Sequence, residues 1–281
     1  MSSEHKTNVD HQVVQDFGAE WSRFDQTRLS GSDQQNLFND YFRVFPWANL
    51  PPDSVGADIG CGSGRWAVLA APRVGHLHLV DPSAEALNVA RQNLKDCANT
   101  TFHERSVDNL PFAPASLDFA YSLGVLHHVP DTHAAMVSIR KALKPGAPFL
   151  IYLYYAFDQR PWWFLGLWKV SDMFRRVISL LPNPLKNFCC DVIAVTAYVP
   201  LSRTAWLLDK MGILPASWPL AAYRNMGFYV LRTDALDRFG TRLEQRFSRG
   251  SIQKMLTTAG FEHVEFSTGQ PFWCAVGFTK K

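Results

Sequence analysis

The spacing of apolar positions changes along the chain and divides it into four stretches. Across residues 1–50 they recur every three to four positions. Phe17, Trp21 and Phe24 form one stripe and Phe38, Tyr41, Phe42 and Phe45 a second, separated by Gly31-Ser32-Asp33 and ended by Pro46. That is the helical period, so an N-terminal helical cap is predicted. From 51 to 155 the pattern becomes short apolar runs alternating with helix-period segments. Strands are predicted over 55–59, 76–80, 102–105, 117–122 and 149–154. Helices are predicted over 65–71, 83–96 and 133–143, the last stopped by Pro145-Gly146.

The rhythm then breaks. Residues 156–247 are rich in Trp and Pro, contain helix-period segments and are too long for a connector, which marks a helical insertion. Residues 248–281 resume the earlier pattern, with a helix over 251–259 and strands near 262–267 and 272–278. Such alternation implies an α/β fold. Its centre is a Rossmann-like, mostly parallel sheet of seven strands with helices on both faces.

Composition narrows the function. Hydrophobic residues make up 47% of the 281 and charged residues 19%, so a large buried core is available. A dispersed net charge of +3 argues against a nucleic-acid partner. Five cysteines with no Cys-x-x-Cys pair suit neither a disulfide framework nor a zinc site, and no metal is expected. The N-terminal residues lack a signal-peptide apolar stretch, and charges interrupt every apolar segment after 160. A cytoplasmic location is therefore expected.

Chemistry concentrates at Asp58-Ile59-Gly60-Cys61-Gly62-Ser63-Gly64, between the first predicted strand and its helix. Alternate glycines allow a sharp turn and let a ligand approach the main chain. The second strand ends in Asp81, followed by Pro82 and Ser83. An acid there faces the crevice at the open end of the sheet and can accept hydrogen bonds from both hydroxyls of a ribose. Dinucleotide sites usually read G-x-G-x-x-G and cradle a pyrophosphate. This loop reads G-x-G-x-G, and Asp58 would repel phosphate while suiting a cationic ligand. A nicotinamide-dependent oxidoreductase is the competing enzyme class, and a non-catalytic binder of the same cofactor is a third reading.

These blocks resemble the class I S-adenosylmethionine-dependent methyltransferases, within the broad group that includes ubiquinone and menaquinone biosynthesis enzymes. The similarity runs through Ala57 to Gly64, Leu79 to Ser83, Asn109-Leu110-Pro111-Phe112 with Leu117-Asp118, and Leu126-His127-His128-Val129 before Leu143-Lys144-Pro145-Gly146. The resemblance implies S-adenosyl-L-methionine as cofactor. Gly60, Cys61, Gly62 and Gly64 would line its methionine portion, Asp58 would lie near its amino group, and Asp81 with Pro82 would hold the ribose. Ser106 and Val107 stand where the family presents an Asp and a backbone N–H to adenine. Ser122, ending the fourth strand, would lie near the methyl donor.

The same likeness places the His127-His128 segment close to the donor. One of the pair faces a substrate, with His127 favoured, or both pack at a helix start. Tyr155 is a third catalytic candidate. Alternation places Tyr152 and Tyr154 on one face, with Tyr155 directed toward the pocket. Methyl transfer itself needs alignment and exclusion of water, with a base required only when the acceptor must lose a proton. The insertion is either an apolar acceptor pocket, a membrane-contacting surface or a helical lid with its own core. Arginines in the run 232–249 are either a clamp for an anionic acceptor or a solvated helical face. The expected partner is a small-molecule methyl acceptor, with peripheral membrane contact and oligomeric state left open.

Overall fold

The computed structural model describes residues 7–26, 29–157 and 160–281. The chain divides into two compact units. The first comprises residues up to Ser22, Leu37–Ala156 and Leu243–Lys281, and the second Arg23–Asn36 with Phe157–Arg242.

The first unit is built on seven strands: β1 (Val55–Ile59), β2 (His76–Asp81), β3 (Thr100–Glu104), β4 (Phe119–Leu123), β5 (Pro148–Tyr152), β6 (Phe261–Phe266) and β7 (Cys274–Thr279). Their order is β3-β2-β1-β4-β5-β7-β6. β1 to β5 pair in parallel, whereas β7 runs antiparallel to both β5 and β6. This is the Rossmann-like sheet that the strand–helix alternation predicts.

The helices of this unit are α1 (His11–Arg23), whose last residue belongs to the second unit, α3 (Ala67–Ala70), α4 (Ala84–Asn93), α5 (Thr132–Ala142) and α10 (Arg249–Thr258). α2 (Gly31–Tyr41) likewise passes from the second unit to the first at Leu37. On one face of the sheet Phe38, Phe42, Trp66, Leu87 and Leu94 pack on Leu77, Leu79, Phe119 and Tyr121. On the other, Met136 and Ile139 of α5 and Ile252 and Leu256 of α10 pack on Ala57, Ile59, Phe149 and Ile151. The predicted 65–71 helix shortens to one turn of α-helix followed by a 3-10 turn at Ala71–Arg73 containing Pro72. A proline there has no N–H to continue the ladder.

Local chemistry sets the ends of the elements. Ser83 caps α4 by accepting from the Ala86 N–H at 3.2 Å, and Asp131 caps α5 by accepting from Ala134 at 2.9 Å. Asp118 accepts from the Val55 N–H at 2.9 Å and pairs with Lys144 at 2.7 Å. The Leu117-Asp118 and Lys144-Pro145-Gly146 blocks are thereby stitched to the start of β1, away from the open end of the sheet.

The second unit is helical: α6 (Trp162–Ile178), α7 (Asn183–Ile193), a π-helical turn at Ala194–Tyr198, α8 (Val199–Lys210) and α9 (Phe228–Gly240). Both α6 and α7 pack on α9. Small cores form around Phe24, Ile178, Cys190 and Leu236, and around Tyr198, Leu231 and Ala235. No helix of the described residues is long and apolar enough to cross a membrane.

Gly56 in β1 is crossed by the Phe119 ring, and a Cβ added there would lie 2.1 Å from it. Replacing Gly56 by Ala forces a fully buried aromatic to move. It should lower unfolding free energy by about 1–3 kcal/mol in denaturant titration. A companion Phe119→Leu change should recover part of that loss if the ring is the obstacle.

Candidate cofactor and active site

The open end of the parallel sheet gathers the predicted acidic and glycine positions. Gly60, Gly62 and Gly64 have φ of +76°, +53° and +74°, a left-handed conformation that side chains with a Cβ seldom adopt. Space enforces the same choice. A Cβ at Gly60 would meet Val125 at 2.4 Å, and one at Gly62 would meet the Trp21 indole nitrogen at 2.7 Å. The Gly60 and Cys61 N–H groups donate to the Val80 carbonyl at 2.7 and 3.1 Å, which fastens the loop to the end of β2.

Asp81 completes that fastening. One carboxylate oxygen accepts from the Gly62 N–H at 2.9 Å and the other from Ser83 N–H at 2.9 Å. The side chain is half-buried, so lone pairs remain for a ligand. Burial pushes its carboxyl up to about 6, against the opposing pull of those two backbone donors.

Asp58 sits beside it, near the end of β1 and in register with Tyr121 of β4. The residue is 1% exposed, and neither carboxylate oxygen has a hydrogen bond of ordinary geometry. Burial raises its pKa well above the usual carboxylate range. The facing Tyr121 hydroxyl opposes that rise and the charge of Asp81 adds to it. Two acids therefore converge on one desolvated corner, a field that attracts a cation and repels a phosphate. Tyr121 escapes a reading of motifs alone. The signal for it is strand alternation, which carries Tyr121 to the position opposite Asp58.

Cys61 is buried in the loop, and burial together with both carboxylates pushes its thiol well above the ordinary range. It remains a neutral packing group. Pro82 is half-buried between Asp81 and the α4 cap. Ser106 donates to the Asp108 carboxylate, whose other oxygen accepts from the Asn8 N–H at 3.0 Å. Val107 beside them is buried. An acid is thus present two residues after the family's position, held by the N-terminal segment. Ser122 is wholly buried and donates to the Ile59 carbonyl at 2.8 Å. Its hydroxyl ties β4 to β1.

His127 and His128 lie in a 3-10 turn after β4 and are both buried. The His127 ring stacks on Tyr154 with centroids 3.9 Å apart. His128 donates from Nδ1 to the Leu243 carbonyl at 2.6 Å and packs on Phe17 at 4.9 Å. Tyr155 is not brought to this cluster. β5 ends at Tyr152, and Tyr155 packs against Phe272 with the opposite side of the sheet, while Tyr152 and Tyr154 share the His127 side.

The charged run 232–249 is helical only to Gly240. Beyond it the chain straps across the histidine turn. Gln245 donates its N–H to the His127 carbonyl at 3.0 Å and its side-chain amide to Val129 at 2.6 Å. Glu244 and Arg246 form a buried ion pair at 2.7 Å, with Arg246 over the Tyr154 ring. These two residues therefore do not form a solvated helical face. The sequence signal was hidden because the Tyr154 ring under Arg246 lies about ninety residues away in the chain.

Residues 57–146 match the family model of a methyltransferase domain. Among curated relatives, phosphoethanolamine N-methyltransferase 2 of Caenorhabditis elegans is 29% identical over 54% of this chain and 34% of its own length. A demethylmenaquinone methyltransferase of Staphylococcus saprophyticus is 27% identical over 48% of this chain and 58% of its own. The chain thus spans about a third to somewhat over half the length of the relatives it matches. A solved structure of phosphoethanolamine N-methyltransferase 2 from Haemonchus contortus, with phosphomonomethylethanolamine and S-adenosylhomocysteine bound, shares the fold. Its TM-score is 0.50 at 20% identity, covering 91% of this chain and 43% of that one. Fold, motif order and family match together define a class I methyltransferase domain, of the S-adenosylmethionine-dependent kind.

The raised Asp58 carboxyl generates a prediction with a definite sign. A group whose folded pKa is raised contributes stability below the unfolded Asp value of about 4, lost as pH rises through the folded value. Without cofactor, Asp58→Asn should therefore melt at an increasingly higher temperature than wild type as pH is raised from about 4 toward neutrality. A difference that stays constant with pH would show that burial does not perturb this carboxyl.

Proposed function

We propose that this protein transfers the methyl group of S-adenosyl-L-methionine to a small organic acceptor. The observation that carries the reading is the buried carboxylate of Asp58, lacking ordinary hydrogen bonds, beside the left-handed glycine loop and next to Asp81. S-adenosylmethionine brings an ammonium and a sulfonium charge, and supplies an electrophilic methyl group when bound. The residues fit it. Asp58 would meet the ammonium directly or through water, and Asp81 would accept from the ribose hydroxyls. Gly60, Cys61, Gly62 and Gly64 would present main-chain groups to the methionine portion, and Ser106 and Val107 would border adenine. A pyrophosphate-bearing nicotinamide cofactor would place its negative charge against these acids.

A small acceptor is supported by the mild net charge of +3 and by the phosphoethanolamine and demethylmenaquinone in the relatives' names. An aromatic or lipid-like acceptor is supported by the Trp-rich composition of residues 156–247. Where the acceptor must lose a proton, His127 is our candidate to take it. Ring stacking orients His127, whereas the Nδ1 bond to Leu243 commits His128 to fixing the turn. The cysteine pattern suits the reducing cytoplasm as its setting.

Calorimetric titration with S-adenosylmethionine and S-adenosylhomocysteine tests the assignment. One-to-one binding should be lost or strongly weakened in Asp81→Ala while the variant's melting stays cooperative. No binding by folded wild type would overturn the reading. Because the Asp81 carboxyl lies at about 6, its ionised fraction falls about tenfold between pH 7 and 5. Affinity should fall by about that factor in wild type and less steeply in Asp81→Asn.

A further inference from the structure

The second unit distributes its side chains in an inverted way. All eighteen exposed large apolar side chains among the described residues fall between Trp162 and Phe228, within this unit. On α6, Trp162 is 84% exposed, and Val170, Met173, Phe174 and Val177 are each more than half exposed. Its inward positions instead include Asp172 and Arg175, an ion pair at 2.7 Å. Arg175 also donates to the Thr241 and Arg242 carbonyls at 2.9 and 3.0 Å, just past the end of α9.

α7 repeats the arrangement. Leu185, Phe188 and Val192, with Val195 in the π-helical turn that follows, are exposed at three- and four-residue steps, a continuous helical stripe. Lys186 and Cys190 are buried, and Asp191 is gripped by Arg23 at 2.5 Å and by both arms of Arg232 at 2.9 and 2.8 Å. The Asp172–Arg175 pair is thus nearly buried and the Asp191 pairs partly so, while hydrocarbon faces outward, on two helices that both pack on α9. Monomeric proteins in water seldom leave apolar surface of this kind uncovered.

Charge selects the occupant. Over residues 162–213 the bases are Lys169, Arg175, Arg176, Lys186, Arg203 and Lys210, and the acids only Asp172, Asp191 and Asp209. Each of those acids is already paired to arginine, Asp209 through Arg224 at 2.9 Å. Lys169, Arg203 and Lys210 are exposed, and Lys210 lies 5.6 Å from the Trp206 ring. An outward mixture of Trp, aliphatic side chains and cations, with no unpaired acid in that stretch, complements anionic phosphate above hydrocarbon. A symmetric dimer through the same face would set these cations against their own copies. Since no helix of the described residues can span a bilayer, contact lies in the plane of the interface.

We propose that α6 and α7, with the exposed end of α8, seat the second unit on an anionic phospholipid surface. The apolar stripes enter the boundary between headgroups and acyl chains, and the exposed cations Lys169, Arg203 and Lys210 meet lipid phosphate. Nothing in this depends on methyl transfer, so the test needs no cofactor.

The full chain is sedimented with vesicles of phosphatidylcholine alone and of phosphatidylcholine mixed with phosphatidylglycerol. Binding is expected on the mixed vesicles, with a blue shift of tryptophan emission. Phe174→Ser with Phe188→Ser should lower the partition coefficient about tenfold or more. Lys169→Gln with Lys210→Gln should lower it about fivefold per cation, and added salt should mimic that change. Both variants alter exposed side chains and should retain wild-type melting and S-adenosylmethionine affinity, which separates loss of docking from loss of fold. Absence of wild-type binding to the mixed vesicles overturns the proposal, as does binding unchanged in the Phe174/Phe188 variant. A dimer in sedimentation equilibrium that the same variant dissociates, with no vesicle binding, assigns the face to self-association and equally overturns it.

Discussion

Two carboxylates at the ends of adjacent parallel strands organise the first unit. Asp81 accepts from the Gly62 and Ser83 N–H groups, so one side chain joins the glycine loop to the start of α4. Asp58 shares the corner but has no such donors, and burial raises both. The loop must bend back toward β2 for the Gly62 N–H to reach Asp81, and left-handed backbone at Gly60, Gly62 and Gly64 makes that bend without a Cβ clash. Two ionised acids so close together and largely out of water are costly, and the raised carboxyls show that cost, which a proton or an arriving cation relieves. The geometry therefore combines a structural bond with a binding demand.

Around that corner the chain uses long-range straps rather than local motifs. Trp21 from α1 lies against Gly62, and Gly18 allows α1 close to Ser83, where a Cβ would come within 2.6 Å of the hydroxyl. From the other end of the chain, residues 243–247 clamp the His127-His128 turn through Leu243 and Gln245. The histidine turn is thus fixed by the Leu243 carbonyl, by the Gln245 N–H and side-chain amide, and by the Tyr154 ring. Such restraint suits alignment of reactants, the main requirement of an in-line displacement.

The two units solve different physical problems. The first buries a two-sided sheet under helices, and most of its buried polar groups gather at strand ends, turns and caps. In the second, charged residues link the helices internally while hydrocarbon faces outward. An ion pair held inside gives geometry more than stability, because desolvation offsets much of the attraction. Asp191 between Arg23 and Arg232, and Asp172 between Arg175 and Arg176, therefore act chiefly as positioning contacts.

Periodicity alone determined the sheet class and all seven strand positions to within about two residues, because local alternation and its interruption by Gly and Pro are properties of neighbouring residues. The loop Asp58–Gly64 and Asp81 were legible for the same reason: residue type, spacing and strand end coincide. Only the tertiary structure decided what Ser122, Tyr155 and the 243–247 run do. Ser122 bonds across to β1, Tyr155 falls beyond the end of β5 and packs on Phe272, and Glu244 with Arg246 is buried over Tyr154. The outward stripe of α6 was equally hidden. A helical period identifies an amphipathic face, but which face is covered depends on what the rest of the chain packs against it.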